Sequence, residues 1–190
     1  MTAAEILLMD QWTQILDREC PLHPEQRYPP LGSETLAIML AQPPFMRRFE
    51  GEPGAIAHDL ADLPGDLIAD IQTLGLRFAQ VMKVGSVRVR IERTDSNACR
   101  KDHADHTDVR LITTYAGPGT DVAPHASDQD RGACCLERVP AGWVGLFKGR
   151  TYGADHRPCF HRSPPASDLG EKRLVLVIDT PLSRQANLRL

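Results

Sequence analysis

The pattern of hydrophobic and polar positions changes character near residue 85. Leu67, Ile71, Leu74, Phe78 and Val81 recur at spacings of four and three, which predicts an amphipathic helix over 65–84. Asp66 near its start and Lys83 near its end suit the helix dipole. Beyond it, Val87, Val89 and Ile91 alternate with Arg88, Arg90 and Glu92, the signature of a half-buried strand. Further strands are expected over 109–115, 143–148 and 173–179, the last as a nearly continuous apolar run. Upstream, Ile6 to Met9, Trp12, Ile15 and Leu16 suit a helix over 5–17. Ser33 is a candidate N-cap for a short helix through Leu36, Ile38, Met39 and Leu40, stopped by Pro43 and Pro44. Pro21, Pro24, Pro29 and Pro30 are expected to break any regular element between these two helices. Helices first and strands afterwards favour an α+β fold, a β-core supported by N-terminal helices. Short strands punctuated by Gly and Pro suit a sandwich or barrel. With no repeat or linker, residues 1–190 read as a single domain, 1–84 mainly helical and 85–182 the β-core.

Composition narrows the classes of function. A net charge of -3 with mixed signs gives no reason to expect a nucleic-acid partner. No apolar run reaches the length of a membrane span. The N-terminus lacks the basic start and apolar block of a secretion signal, which predicts a cytoplasmic protein. Five cysteines are an odd count there, so thiols are expected rather than disulfides. Nothing in the pattern names a substrate or an oligomeric state.

The candidate chemistry lies in two stretches. His103 and Asp105 are two residues apart, so in a strand they point the same way and can reach one metal ion. His161 can supply a third ligand, and Arg173 follows 12 residues later. Two histidines and one carboxylate leave open positions on a metal, the arrangement of non-haem Fe(II) oxygenases. Arg173 could fork onto a carboxylate of a co-substrate. Thr113 and Tyr115 share the parity of His103 and Asp105 if the strand runs unbroken, and are expected to add hydroxyl contacts. His106 and Asp108 repeat the motif in the opposite phase and read as a solvated rim.

Plainer readings stand beside each of these. His103 and Asp105 could be a hydrogen-bonded strand end, and His161 a core histidine. Arg173 could only pair with Glu171 or Asp179, and Arg162 is a competing anion binder. Gly117-Pro118-Gly119 reads as a tight turn rather than a phosphate cradle. Cys99 and Cys159 sit beside the proposed ligands and Cys134-Cys135 adds two thiols, a set that suits zinc, though not at ribbon or finger spacing.

The order H-x-D, a later His and then an Arg resembles the double-stranded β-helix dioxygenases. That resemblance implies a jelly-roll-like core, with Fe(II) on His103, Asp105 and His161. It also implies 2-oxoglutarate chelating the iron while Arg173 holds its far carboxylate. A second resemblance covers more of the chain. The stretch from His103 to Thr120, Leu146 to Gly149, His161 to Pro165 and Arg173 to Asp179 resemble the bacterial domain-of-unknown-function family DUF1826. This resemblance implies a shared fold and site and a link to metal homeostasis. The alternative function is therefore a non-enzymatic, zinc-linked metal-binding protein on the same barrel. Asp102 and Asp121 stand where the family pattern carries aromatics, which predicts a more polar pocket.

Overall fold

The computed structural model describes residues 10–28, 30–97, 101–123 and 136–181. Among them, nine strands form two antiparallel sheets: β1 (Leu22–Glu25), β2 (Phe45–Gly51), β3 (Val87–Thr94), β4 (Val109–Ala116), β5 (Thr120–Ala123), β6 (Glu137–Val139), β7 (Val144–Lys148), β8 (Phe160–Arg162) and β9 (Arg173–Asp179). The larger sheet has the order β1-β7-β4-β9-β3-β2 and the smaller one β6-β5-β8. The helices are α1 (Ser33–Ala41), the single turn α2 (Ile56–Asp59) and α3 (Gly65–Met82). Residues 11–16 form a 3-10 turn, while the first half of the helix expected over 5–17 lies outside the described residues. None of the described helices is long and apolar enough to cross a membrane.

Helix α3 follows its hydrophobic period. Leu67, Ile71, Leu74 and Phe78 are all buried against the larger sheet, in one cluster with Val89, Ile91, Leu111, Leu146, Leu174, Leu176 and Ile178. Full burial of each such side chain contributes about 1.5–3 kcal/mol. The helix ends at Lys83, whose left-handed backbone (φ 53°) lets its N–H reach the Ala79 and Gln80 carbonyls. Helix α1 is capped at Gly32 rather than Ser33, with no side-chain cap bond.

Five strands arise where the sequence predicts none: the short β5, β6 and β8 of the smaller sheet, and two at the edges of the larger one. β1 contains Pro24, yet it sits at the sheet edge, where a missing N–H costs no ladder bond. β2 lies at the other edge and exposes Arg47, Arg48 and Glu50, so it shows no clean apolar alternation. The segment 1–84 thus gives two strands to the sheet as well as the helices.

The two sheets face each other across a second, smaller apolar cluster containing Ile112, Val122, Phe147, Cys159, Val175 and Val177. β4 passes into β5 through the Gly117-Pro118-Gly119 turn. Gly117 has φ +83°, and a Cβ there would collide with the Lys172 carbonyl. The open end of the space between the sheets holds the candidate site.

Candidate metal centre

His161 is the middle residue of β8. His103 pairs with it through an isolated antiparallel bridge, His103 N–H donating to the His161 carbonyl (3.0 Å) and His161 N–H to the His103 carbonyl (2.9 Å). Asp105 lies in the loop that follows. This loop is pinned by Arg150 N–H donating to the Asp105 carbonyl (2.8 Å) and Gly149 N–H to the Asp108 carbonyl (2.7 Å). Gly149 permits the approach, since a Cβ there would collide with the Thr107 carbonyl. As a result, one ligand atom from each of His103, Asp105 and His161 lies within 4.8 Å of the others.

Hydrogen bonding assigns the imidazole tautomers. His103 Nδ1 is 3.0 Å from the Lys101 carbonyl and His161 Nδ1 is 3.3 Å from the Cys159 carbonyl. A carbonyl only accepts, so each Nδ1 carries the proton and each neutral ring keeps a lone pair on Nε2. Those Nε2 atoms face Asp105, at 3.6 Å from Oδ1 for His103 and 3.1 Å from Oδ2 for His161. Asp105 Oδ2 is buried and accepts no hydrogen bond. Lone pairs converging on a buried carboxylate call for a proton or a cation between them, and a metal ion fits that donor set.

Arg110 fixes the carboxylate from behind. Its Nη1 is 2.6 Å from Asp105 Oδ1, while Nε and Nη2 donate to the two oxygens of Asp179 at 2.8 Å each. Burial works to raise the Asp105 pKa, but His103, His161 and Arg110 outweigh it and hold the carboxyl well below the usual range. The same contact with Asp105 raises the His103 pKa against the opposing effect of burial.

Arg173 begins β9 and is 5 % exposed. Its Nε donates to the Pro118 carbonyl (2.8 Å) and Nη2 to Thr114 Oγ1 (3.1 Å). No carboxylate among the described residues pairs with it: Asp179 is engaged by Arg110, and Glu171 forms no ion pair with it. Burial brings its pKa down to about 10, still far above neutrality, so the guanidinium stays charged. Arg173 and the three converging side chains line one cavity of about 210 Å³.

Thr113 and Tyr115 do not reach this cavity, which corrects their expected role as co-substrate contacts. Tyr115 lies in the helix-side core and donates its hydroxyl to Asp70 Oδ2 (2.7 Å), and Thr113 Oγ1 accepts from Arg27 Nη2 (3.2 Å). The reason is strand phase. No regular strand runs from His103 to Asp108, so parity does not carry into β4. Arg110 and Ile112 line the cavity instead, and Thr114, in the same phase, holds Arg173. His106 is exposed, and Asp108, 1 % exposed, accepts from Val109 N–H (2.7 Å) and Thr180 Oγ1 (2.6 Å), outside the cluster.

Two of the rival groups, Arg162 and Cys159, fall within the described residues. Arg162 lies 3.8 Å from Asp102 and 3.5 Å from Asp121, so the two aspartates that depart from the family pattern flank it. Burial, then the Asp105 charge, push the Cys159 thiol up, and its sulfur is not among the converging ligand atoms. Cys99, Cys134 and Cys135 lie outside the described residues. Arg110 and Thr114 escaped the sequence reading. The one signal for Arg110 was its acidic counterpart Asp179, opposite it in the β4–β9 ladder.

The architecture is similar to that of solved oxygenases. A candidate oxygenase from Shewanella oneidensis matches with a TM-score of 0.57 and 13% identity, over 91% of this chain and 87% of that one. A full-length Neurospora crassa protein, solved in complex with alpha-KG and 5-formyluracil, matches with 0.52 and 11%, over 93% and 82%. A rice dioxygenase for auxin oxidation matches with 0.50 and 11%, over 88% and 76%. At such identities the likeness shows the fold alone: a jelly-roll, double-stranded β-helix core with supporting helices. No curated protein matches the chain in sequence. The model of the family described as Protein of unknown function (DUF1826) spans residues 32–179, from the cap of α1 to the last residue of β9, and the chain belongs to that family.

Proposed function

We propose that the protein is a non-haem Fe(II)- and 2-oxoglutarate-dependent oxygenase. His103, Asp105 and His161 would hold the iron, and Arg173 would hold the far carboxylate of 2-oxoglutarate. One observation carries this reading: three converging ligand atoms share a cavity with a buried arginine that no acid among the described residues pairs. When bound, iron with 2-oxoglutarate supplies oxidative chemistry driven by O2. The chain supplies the rest. The Lys101 and Cys159 carbonyls keep both imidazoles in the ligating tautomer. Arg110 aims the Asp105 carboxylate. The Pro118 carbonyl and Thr114 hydroxyl orient the Arg173 fork, leaving Nη1 free of partners among the described residues. A cytoplasmic location, in which thiols such as Cys20 and Cys159 stay reduced, belongs to the same reading.

Metal content after anaerobic purification, followed by succinate formation with 2-oxoglutarate, tests the proposal. Bound iron and 2-oxoglutarate-dependent succinate are expected. Arg173→Lys keeps the charge but loses the planar fork, so 2-oxoglutarate binding should weaken about tenfold at normal metal content. Stoichiometric zinc, with neither 2-oxoglutarate binding nor succinate, would move the assignment to a non-enzymatic metal-binding protein.

A further inference from the structure

Arg48 of β2 and Arg90 of β3 stand directly opposite each other in the sheet ladder. Like charges in that position destabilise a sheet. The ion pairs nearby go elsewhere. Arg47, on the other face of β2, pairs with Asp62 at 2.9 Å. Arg110 is taken by Asp105 and Asp179. Arg88 donates to the Thr180 carbonyl at 2.9 Å and lies 3.8 Å from Asp179. Glu50 is opposite Arg88 and Glu92 opposite Met46. Among the described residues, the guanidinium groups of Arg48 and Arg90 have neither an ion pair nor a hydrogen bond.

The pair is continuous with the candidate metal centre. Arg90 lines the cavity that holds His103, Asp105 and His161. Arg48, Arg90 and Arg110 together line an adjoining depression of about 440 Å³. The two hollows share Arg90 and Arg110, and together they lead from the candidate centre, past the Asp179 carboxylate that Arg110 engages, out to Arg48 and Glu50 at the sheet edge.

We infer that Arg48 and Arg90 form a subsite for an anionic group, a carboxylate or a phosphate, on the molecule oxidised at the adjacent centre. This rests on the oxygenase reading above. Planar guanidinium forks match both anions with paired hydrogen bonds. Glu50 and Glu92 flank the pair and confine its positive field, so a molecule with one anionic group fits better than a polyanion.

The test uses iron-loaded protein under anaerobic conditions, first saturated with 2-oxoglutarate so that Arg173 is occupied. It is then titrated separately with inorganic phosphate and with acetate, and the tighter anion names the substrate's group. Arg48→Gln and Arg90→Gln should each weaken saturable binding about tenfold, the scale of one charge-assisted hydrogen bond. Arg47→Gln, on the opposite face of β2, should leave it unchanged. Arg48→Gln should hold or raise Tm, because the like-charge opposition is relieved. No uptake of 2-oxoglutarate overturns the oxygenase reading and this inference with it. With 2-oxoglutarate bound, this inference alone falls if neither anion saturates or if both variants bind like the wild type. It also falls if binding is lost together with a lower Tm, since the arginines would then be supporting the fold.

Discussion

The two faces of the larger sheet come from the same strands, residue by alternate residue, and they carry opposite burdens. Toward α3, the sheet presents Val89, Ile91, Leu111, Leu146, Leu174, Leu176 and Ile178, none more than 2 % exposed. Toward the smaller sheet it presents Arg90, Glu92, Arg110, Arg173 and Asp179, with Ile112, Val175 and Val177 between them. The first face gains stability from apolar burial and shape. The second takes charges out of water and recovers the desolvation cost only where partners are complete, as for Arg110 between Asp105 and Asp179. Where partners are incomplete, at Asp105 Oδ2 and Arg173, the face is left ready for a ligand. A sheet can hold both because stability and chemistry are assigned to opposite phases of the pleat.

Substitutions on each face break this division in different currencies. The largest effect on stability is expected from Phe78→Ala, which empties a fully buried position under the sheet. It should cost about 3–5 kcal/mol in urea unfolding while the folded fraction keeps its metal. On the cavity face, Asp105→Ala should lower metal affinity on the order of 100-fold, at least the loss seen when a supporting outer-shell partner is removed. Asp108→Ala removes a buried acceptor of hydrogen bonds from Thr107, Val109 and Thr180, so it should cost about 1–3 kcal/mol of stability with unchanged metal per folded molecule. Metal retained by Asp105→Ala and lost by Asp108→Ala would invert the ligand assignment. The smallest change is Tyr115→Phe. Losing its bond to Asp70 should cost about 1 kcal/mol, and calorimetry should find 2-oxoglutarate binding unaltered, because this ring belongs to the helix side.

Much of the helix-side face was legible in the sequence. The four-and-three period of α3 and the alternation of β3 survive because apolar burial fixes both. β2 was not legible, since its cavity positions are Met46, Arg48 and Glu50 and its outward positions include Arg47. β5, β6 and β8 have only three or four residues each, too few for a period to emerge. Pro24 hid β1, because proline argues against a strand everywhere except at an edge. For the site, residue chemistry named His103, Asp105, His161 and Arg173, which the fold brings to one cavity. Parity then chose the wrong face of β4, placing Thr113 and Tyr115 where Thr114 stands. The loop between His103 and Asp108 resets the phase, and its course depends on backbone bonds to Gly149 and Arg150, distant in sequence.

Arg110 ties Asp105 to Asp179 through its own guanidinium contacts, without drawing on either histidine. The carboxylate is thus aimed and its charge balanced by the chain's own groups, and the loop carrying it is fastened to the 149–151 backbone. An ion that binds only the folded form adds to its stability by mass action, in proportion to the logarithm of its concentration. With a large apolar core of its own, the chain is not expected to need the ion to fold, unlike small finger-like modules. Because the chain's own bonds fasten Asp105, chelator-treated protein is expected to stay folded by circular dichroism and to take metal up again.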